Sequence, residues 1–160
     1  MSIWEKILFQ DESKFNGEIK VSEINGIRRL IAGGYTQSQI SSSQTKANFL
    51  YWENMVPESL ALDSDSRALI LGLGGGTEAK IITKRFGNVA IDGVEIDPLM
   101  VELGCKYFSL EQPNLNIIVA DAADFVKEAR YKYDLICIDT FIGSRVPKEI
   151  EAKEFLEDAK

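Results

Sequence analysis

An apolar run, Leu69-Ile70-Leu71, breaks into glycines at Gly72, Gly74, Gly75 and Gly76 and continues through Thr77-Glu78 into a helix-like segment. About twenty residues on, a second apolar run ends in a carboxylate, Val94-Glu95-Ile96-Asp97-Pro98. No other feature constrains the fold as strongly. Glycines at the end of a strand permit positive φ and close approach of a ligand, and the helix that follows offers unpaired N–H groups. Glu95 stands where an ionised acid accepts charge-assisted hydrogen bonds from the vicinal hydroxyls of a ribose. Either feature alone has purely structural explanations, because tight turns also need glycine. Together, at this spacing, they imply a nucleotide pocket.

From Arg67 onward, apolar runs alternate with helical periods. Residues 67–73, 89–95, 115–120 and 133–139 read as strands, and 76–86, 98–109 and 122–130 as helices. This order predicts an α/β fold, a Rossmann-like parallel sheet with ligand chemistry at the carboxyl ends of the strands. Gly72–Gly76, Glu95, Asp121 and Asp139 all fall at those ends. Residues 1–62 form a different region. Alternation over 17–24, the turn Asn25-Gly26 and a return strand over 27–32 predict a β-hairpin. A polar run over 36–46 reads as loop or edge strand, and 47–62 has helical periodicity that Pro57 kinks or ends. The turn Asp63-Ser64-Asp65-Ser66 separates this region from the nucleotide-binding domain over 63–160. A last helix opens at Pro147, and the sheet is expected to lack its last strands, so that the fourth strand would be an apolar edge covered by a partner, by the N-terminal region or by further sequence, with a homo-oligomer expected.

The balance of 25 acidic against 18 basic residues, net charge −7, shows no clustered Lys or Arg and argues against nucleic acid as a ligand. No apolar run approaches the roughly 18 residues needed to span a bilayer, so no membrane association and a cytoplasmic location are expected. The chain has no histidine, which removes Ser-His-Asp and Cys-His catalysis and the usual zinc chemistry; no metal is expected. Proton transfer falls to Asp, Glu, Tyr or Lys. Cys105 and Cys137 stand apart and read as two buried thiols.

With these motifs in order, the chain resembles the spermidine synthase-like group of adenosyl-sulfonium transferases. The resemblance runs through G-L-G-G-G-T at 72–77, G-V-E-I-D-P at 93–98, A-D-A-A-D-F at 120–125, Y-D-L-I-C-I-D-T-F at 133–141 and V-P-K-E-I-E-A-K-E-F-L at 146–156. It includes Gly34-Tyr35-Thr36-Gln37 and Phe49-Leu50-Tyr51-Trp52-Glu53. It implies that Glu95 holds the ribose, that Asp121 with Ala122 lies by the adenine amino group, and that Gln37 and Tyr51 face the transferred group. The acid at Asp139 would orient and deprotonate the acceptor amine. Three departures bear on the reaction. Gly75 stands where aminopropyltransferases carry an Asp that pairs with the aminopropyl amine, Asp139-Thr140-Phe141-Ile142 keeps one of the two gate acids, and Ala47-Asn48 replace the acid before F-x-Y.

The departures favour a transferase that uses S-adenosylmethionine itself, transferring a methyl group to an unknown small-molecule or amine acceptor near Asp139. The N–H groups of Gly74–Gly76 would then be free to meet the methionine carboxylate. The first alternative is aminopropyl transfer from decarboxylated S-adenosylmethionine to a polyamine. A non-catalytic adenosyl-ligand-binding module is the second, and an NAD-dependent oxidoreductase the weakest, since Thr77 occupies the last glycine position of G-x-G-x-x-G. Structural roles compete at several positions. Asp121 and Asp97 suit helix N-caps, Tyr51 and Trp52 suit core packing, and Asp124 suits a solvated helix face.

Overall fold

The computed structural model describes residues 4–41, 50–142 and 145–159. The chain begins with an antiparallel meander of β1 (Lys6–Ser13), β2 (Gly17–Ile24), β3 (Ile27–Ala32) and β4 (Tyr35–Ser41), followed by α1 (Leu50–Met55). The hairpin β2–β3 turns at Asn25-Gly26 with both residues at positive φ, as the Asn-Gly pair requires. The polar segment after Gly34 is a strand as far as Ser41, since β4 pairs with β3, and 42–46 lie outside the described residues. β1 was not foreseen. It carries no clean alternation, and as an edge strand it leaves Ile7 exposed. α1 ends before Pro57, and the helix expectation for 47–49, like Ala47, Asn48 and Phe49 themselves, lies outside the described residues.

At the predicted boundary, Asp63 Oδ1 accepts from the backbone N–H of Asp65 and Ser66 and from the Ser66 hydroxyl, closing a turn on its own side chain. Beyond it come β5 (Arg67–Leu71), α2 (Thr77–Phe86), β6 (Ala90–Glu95), α3 (Pro98–Phe108), β7 (Leu115–Val119), α4 (Ala122–Glu128) and β8 (Leu135–Ile138). The helix foreseen at Pro147 is two short ones, α5 (Lys148–Glu151) and α6 (Lys153–Asp158), because Ala152 takes an extended conformation between them.

Side-chain alternation along β5 organises the layers. Ala68 and Ile70 pack with Ala79 and Ile82 of α2, while Leu69 and Leu71 meet Val126, Ile150 and Phe155 of α4, α5 and α6. A strand buried on both faces reads as a continuous apolar run, as 68–71 does. Each such fully buried aliphatic side chain contributes about 1.5–3 kcal/mol. The parallel sheet has the order β7-β6-β5-β8. Winding therefore reverses between β5 and β8, which opens a crevice at their carboxyl ends. The meander is fixed to this domain through α3, where Ile19, Val21, Leu30 and Ala32 share a core with Met100, Leu103 and Phe108. Among the described residues no helix is long and apolar enough to cross a membrane.

Candidate active site

The crevice is built by two strand ends brought into contact. Gly72 follows β5 at φ +92°, and a Cβ there would lie 2.3 Å from the carbonyl oxygen of Asp139, which follows β8. Only glycine permits both the conformation and the approach. The N–H groups of Gly72 and Leu73 donate to Val94 O at 2.9 and 3.0 Å, tying the loop to the end of β6.

Glu95, the last residue of β6, is buried. Its Oε2 accepts from Gly74 N–H at 2.8 Å and its Oε1 from Asp97 N–H at 3.1 Å. Burial raises its pKa above the usual carboxylate range, and the two amides oppose that shift. Asp97 caps α3 by accepting from Leu99 N–H, as the cap reading anticipated, and also accepts from the Ser13 hydroxyl and from Asn16 Nδ2. Asp121 Oδ1 caps α4 through Ala123 N–H at 2.8 Å and Asp124 N–H at 3.3 Å.

Two cavities meet here. The first, about 190 Å³, is lined by Gly72, Gly74 and Glu95 on one side, by Asp121, Ala122 and Asp139 on another, and by Gln37 from β4. The second, about 270 Å³, is lined by Tyr35, Thr36, Gln37, Tyr51, Trp52, Asp139 and Phe141. Gln37, Asp139 and Phe141 line both. Asp139 accepts from the Tyr51 hydroxyl at 2.8 Å. Burial raises its pKa, while hydrogen bonds from the Tyr51 and Trp52 side chains pull it back. Burial and this same bond to Asp139 raise the Tyr51 pKa, so the phenol keeps its proton. Beside them lies Glu78, 3% exposed, in the first turn of α2. Its carboxyl is pushed up to about 8, first by burial and then by the charge of Asp139. Cys137 is buried and its thiol is pushed up to about 12, which keeps it unreactive.

Of the residues expected in the site, Gly72, Gly74, Gln37, Glu95, Asp121, Ala122, Asp139 and Tyr51 converge on these cavities, and Trp52 is both buried and cavity-lining. Gly75 and Gly76 line neither. A Cβ on Gly75 would meet Ser38 Cβ at 2.8 Å, and one on Gly76 would meet Leu110 Cδ1 at 2.3 Å. The expectation of free N–H groups at 74–76 is corrected: Gly74 donates to Glu95, Gly75 to Ser38 Oγ and Gly76 to Leu73 O. The loop consumes its own donors because Ser38 and Glu95 reach it from neighbouring strands. Sequence reasoning missed Phe15 and Asn16, which line the first cavity from the turn after β1, and Thr140, which also lines it and whose buried Oγ1 has no hydrogen-bond partner among the described residues. It also missed Glu78. An acid in the first turn of a helix reads as a favourable, solvated dipole partner, whereas here it is buried.

A glycine loop, an acid at the end of the next strand and a crevice at the point of reversed winding define a Rossmann-like, methyltransferase-type fold. No family model matches the chain. The chain is 30% identical over 156 residues to a polyamine aminopropyltransferase of Chromobacterium violaceum, covering 89% of this chain and 56% of that protein. It superimposes on a spermidine synthase solved with the transition-state analogue AdoDATO at a TM-score of 0.77 and 21% identity, over 96% of this chain and 53% of that one. Human methyltransferase-like protein 13, solved in complex with SAH, matches at 30% identity and a TM-score of 0.52 over 58% of this chain and 47% of its own. These likenesses support a spermidine synthase-like family with a methyltransferase fold. It spans about half the length of the relatives it matches.

Proposed function

We propose that the chain carries the donor and acceptor sites of an aminopropyltransferase, moving an aminopropyl group from decarboxylated S-adenosylmethionine to an amine. This replaces methyl transfer as the leading reading. The curated relatives that match along most of the chain are aminopropyltransferases. The argument from Gly75 also weakens, because that position faces Ser38 rather than the cavity. The observation that carries the proposal is the junction of the two cavities at Asp139. An acid flanked by Tyr51, Trp52 and Tyr35 suits a cationic amine through both charge and ring faces.

The residues fit an adenosyl donor. Glu95 is an acid that lines the first cavity beside Gly72 and Gly74, and Thr140, whose hydroxyl is unpartnered among the described residues, lines it too. The donor would supply a carbon activated by a sulfonium leaving group. Asp139 accepts a proton from the acceptor ammonium, leaving a neutral nitrogen lone pair, and Tyr51 holds that carboxylate in place. General-base help of this kind is worth roughly 10²–10⁴-fold, alignment more.

The test is calorimetric titration with methylthioadenosine, decarboxylated S-adenosylmethionine, S-adenosylmethionine and NAD, followed by mass spectrometry of putrescine incubated with the tighter donor. Binding of adenosyl ligands but not NAD, with spermidine formed, is expected; tighter S-adenosylmethionine binding and a methylated product would favour the second reading. That reading, methyl transfer, keeps support from the likeness to methyltransferase-like protein 13 and from Ile142 in place of a second gate acid.

A further inference from the structure

We propose that the second cavity selects a primary monoamine with an apolar body: Asp139 takes the single ammonium, and the rings of Tyr35, Tyr51, Trp52 and Phe141 take the rest of the molecule. The inference rests on the amine-acceptor reading above and narrows its substrate class. Asp139 is the one acid among the described residues that line this cavity; Thr36 and Gln37 are neutral, and the others are aromatic. The residues outside those described, 1–3, 42–49, 143–144 and 160, include neither Asp nor Glu. Glu95, Asp121 and Glu149 line the first cavity, which the donor fills in that reading, and Glu78 lines neither.

The carboxyl of Asp139 is fixed among the rings. The Tyr51 hydroxyl donates to its Oδ1 at 2.8 Å, and the Trp52 side chain donates to it as well. Tyr51 thus commits its hydroxyl to Asp139, and its ring packs edge-on against that of Trp52, centroids 5.7 Å apart at 82°. An ammonium docked on Asp139 leaves its hydrocarbon body among these rings and Phe141, which is wholly apolar. A ring face attracts a cation more weakly than a carboxylate does. A second ammonium at the far end of the acceptor, out of reach of Asp139, would therefore shed hydration for too little in return. A methyl or phenyl group at the same place sheds nothing of value and buries apolar area. Putrescine still docks by one end, as the weaker ligand.

The experiment titrates the chain, saturated with methylthioadenosine, at pH 7 and about 0.15 M salt, where screening limits the pull of the net charge of −7 on a dication. The ligands are putrescine and pentylamine, equal in length, the second carrying a methyl where the first carries its second ammonium. Pentylamine is expected to bind about tenfold more tightly, and phenethylamine at least as tightly as pentylamine. Putrescine binding as tightly as pentylamine, or more tightly, overturns the proposal. Tyr35→Glu adds an acid to this cavity and leaves the first one, which Tyr35 does not line, as it is. It should shift the ratio about tenfold towards putrescine with methylthioadenosine affinity unchanged, and an unmoved ratio overturns the proposal equally. Failure to bind methylthioadenosine would sink the donor-site reading and this inference with it. Binding of methylthioadenosine but of neither amine would sink the amine-acceptor reading and this inference, and leave the donor site standing.

Discussion

At Glu95 both carboxylate oxygens are occupied by backbone amides, those of Gly74 and Asp97. Glu95→Gln leaves one of those N–H groups facing an NH₂, so about 1–3 kcal/mol of stability should be lost along with about 1.5–3 kcal/mol of methylthioadenosine binding. Chemical denaturation and calorimetry measure the two separately. An affinity loss with no change in denaturation midpoint would mean that the amide contacts contribute nothing to the fold. A pH effect belongs to this scale too. Burial raises the Glu78, Asp139 and Glu95 carboxyls, so the folded chain holds protons that the unfolded chain releases. The stability this provides is present below the ordinary carboxylate pKa and is lost as pH rises towards about 8, the value of Glu78. Denaturation midpoints should fall from pH 5 to pH 8.5, and Glu78→Gln should flatten the slope. Glu95 was legible in the sequence as a candidate site residue because it stands at the end of an apolar run at a set spacing from a glycine loop. Glu78 was not, because an acid in the first turn of a helix is ordinarily solvated and nothing in its local sequence marks it as buried.

Among the elements, α3 joins everything. Its start is capped by Asp97, and one side of it meets the meander while the other packs under the parallel sheet through Val101 and Cys105. Asp97→Ala removes the cap and the anchors of Ser13 and Asn16 together, and about 2–3 kcal/mol of destabilisation is expected, more than a cap alone contributes. A loss of only about 1 kcal/mol in urea denaturation would show that the contacts to the turn after β1 are inert. The alternation of strands and helices from β5 to β8 was readable from apolar period alone, as was the β2–β3 hairpin from Asn25-Gly26. β1 was hidden because its apolar residues, Ile7-Leu8-Phe9, run consecutively instead of alternating and the rest of Lys6–Ser13 is polar, and the break at Ala152 was hidden because alanine favours helix interiors.

For the whole molecule, the parallel sheet pairs β8 on one side only among the described residues, and Leu135, Ile136 and Ile138 are half-buried. An apolar parallel edge favours pairing with another strand, so association at micromolar concentration is expected by light scattering. A monodisperse monomer whose β8 amides exchange rapidly would argue against it. The turn after β1 has a separate consequence. Phe15 and Asn16 line the first cavity while Ser13 and Asn16 donate to Asp97, two residues beyond Glu95. Occupancy of the cavity and seating of the meander are therefore two descriptions of one equilibrium. A nucleoside that tightened the Glu95–Asp97 corner would raise the work needed to peel β1 from α3, and by reciprocity anything that pulled on β1 would weaken the hold on that nucleoside.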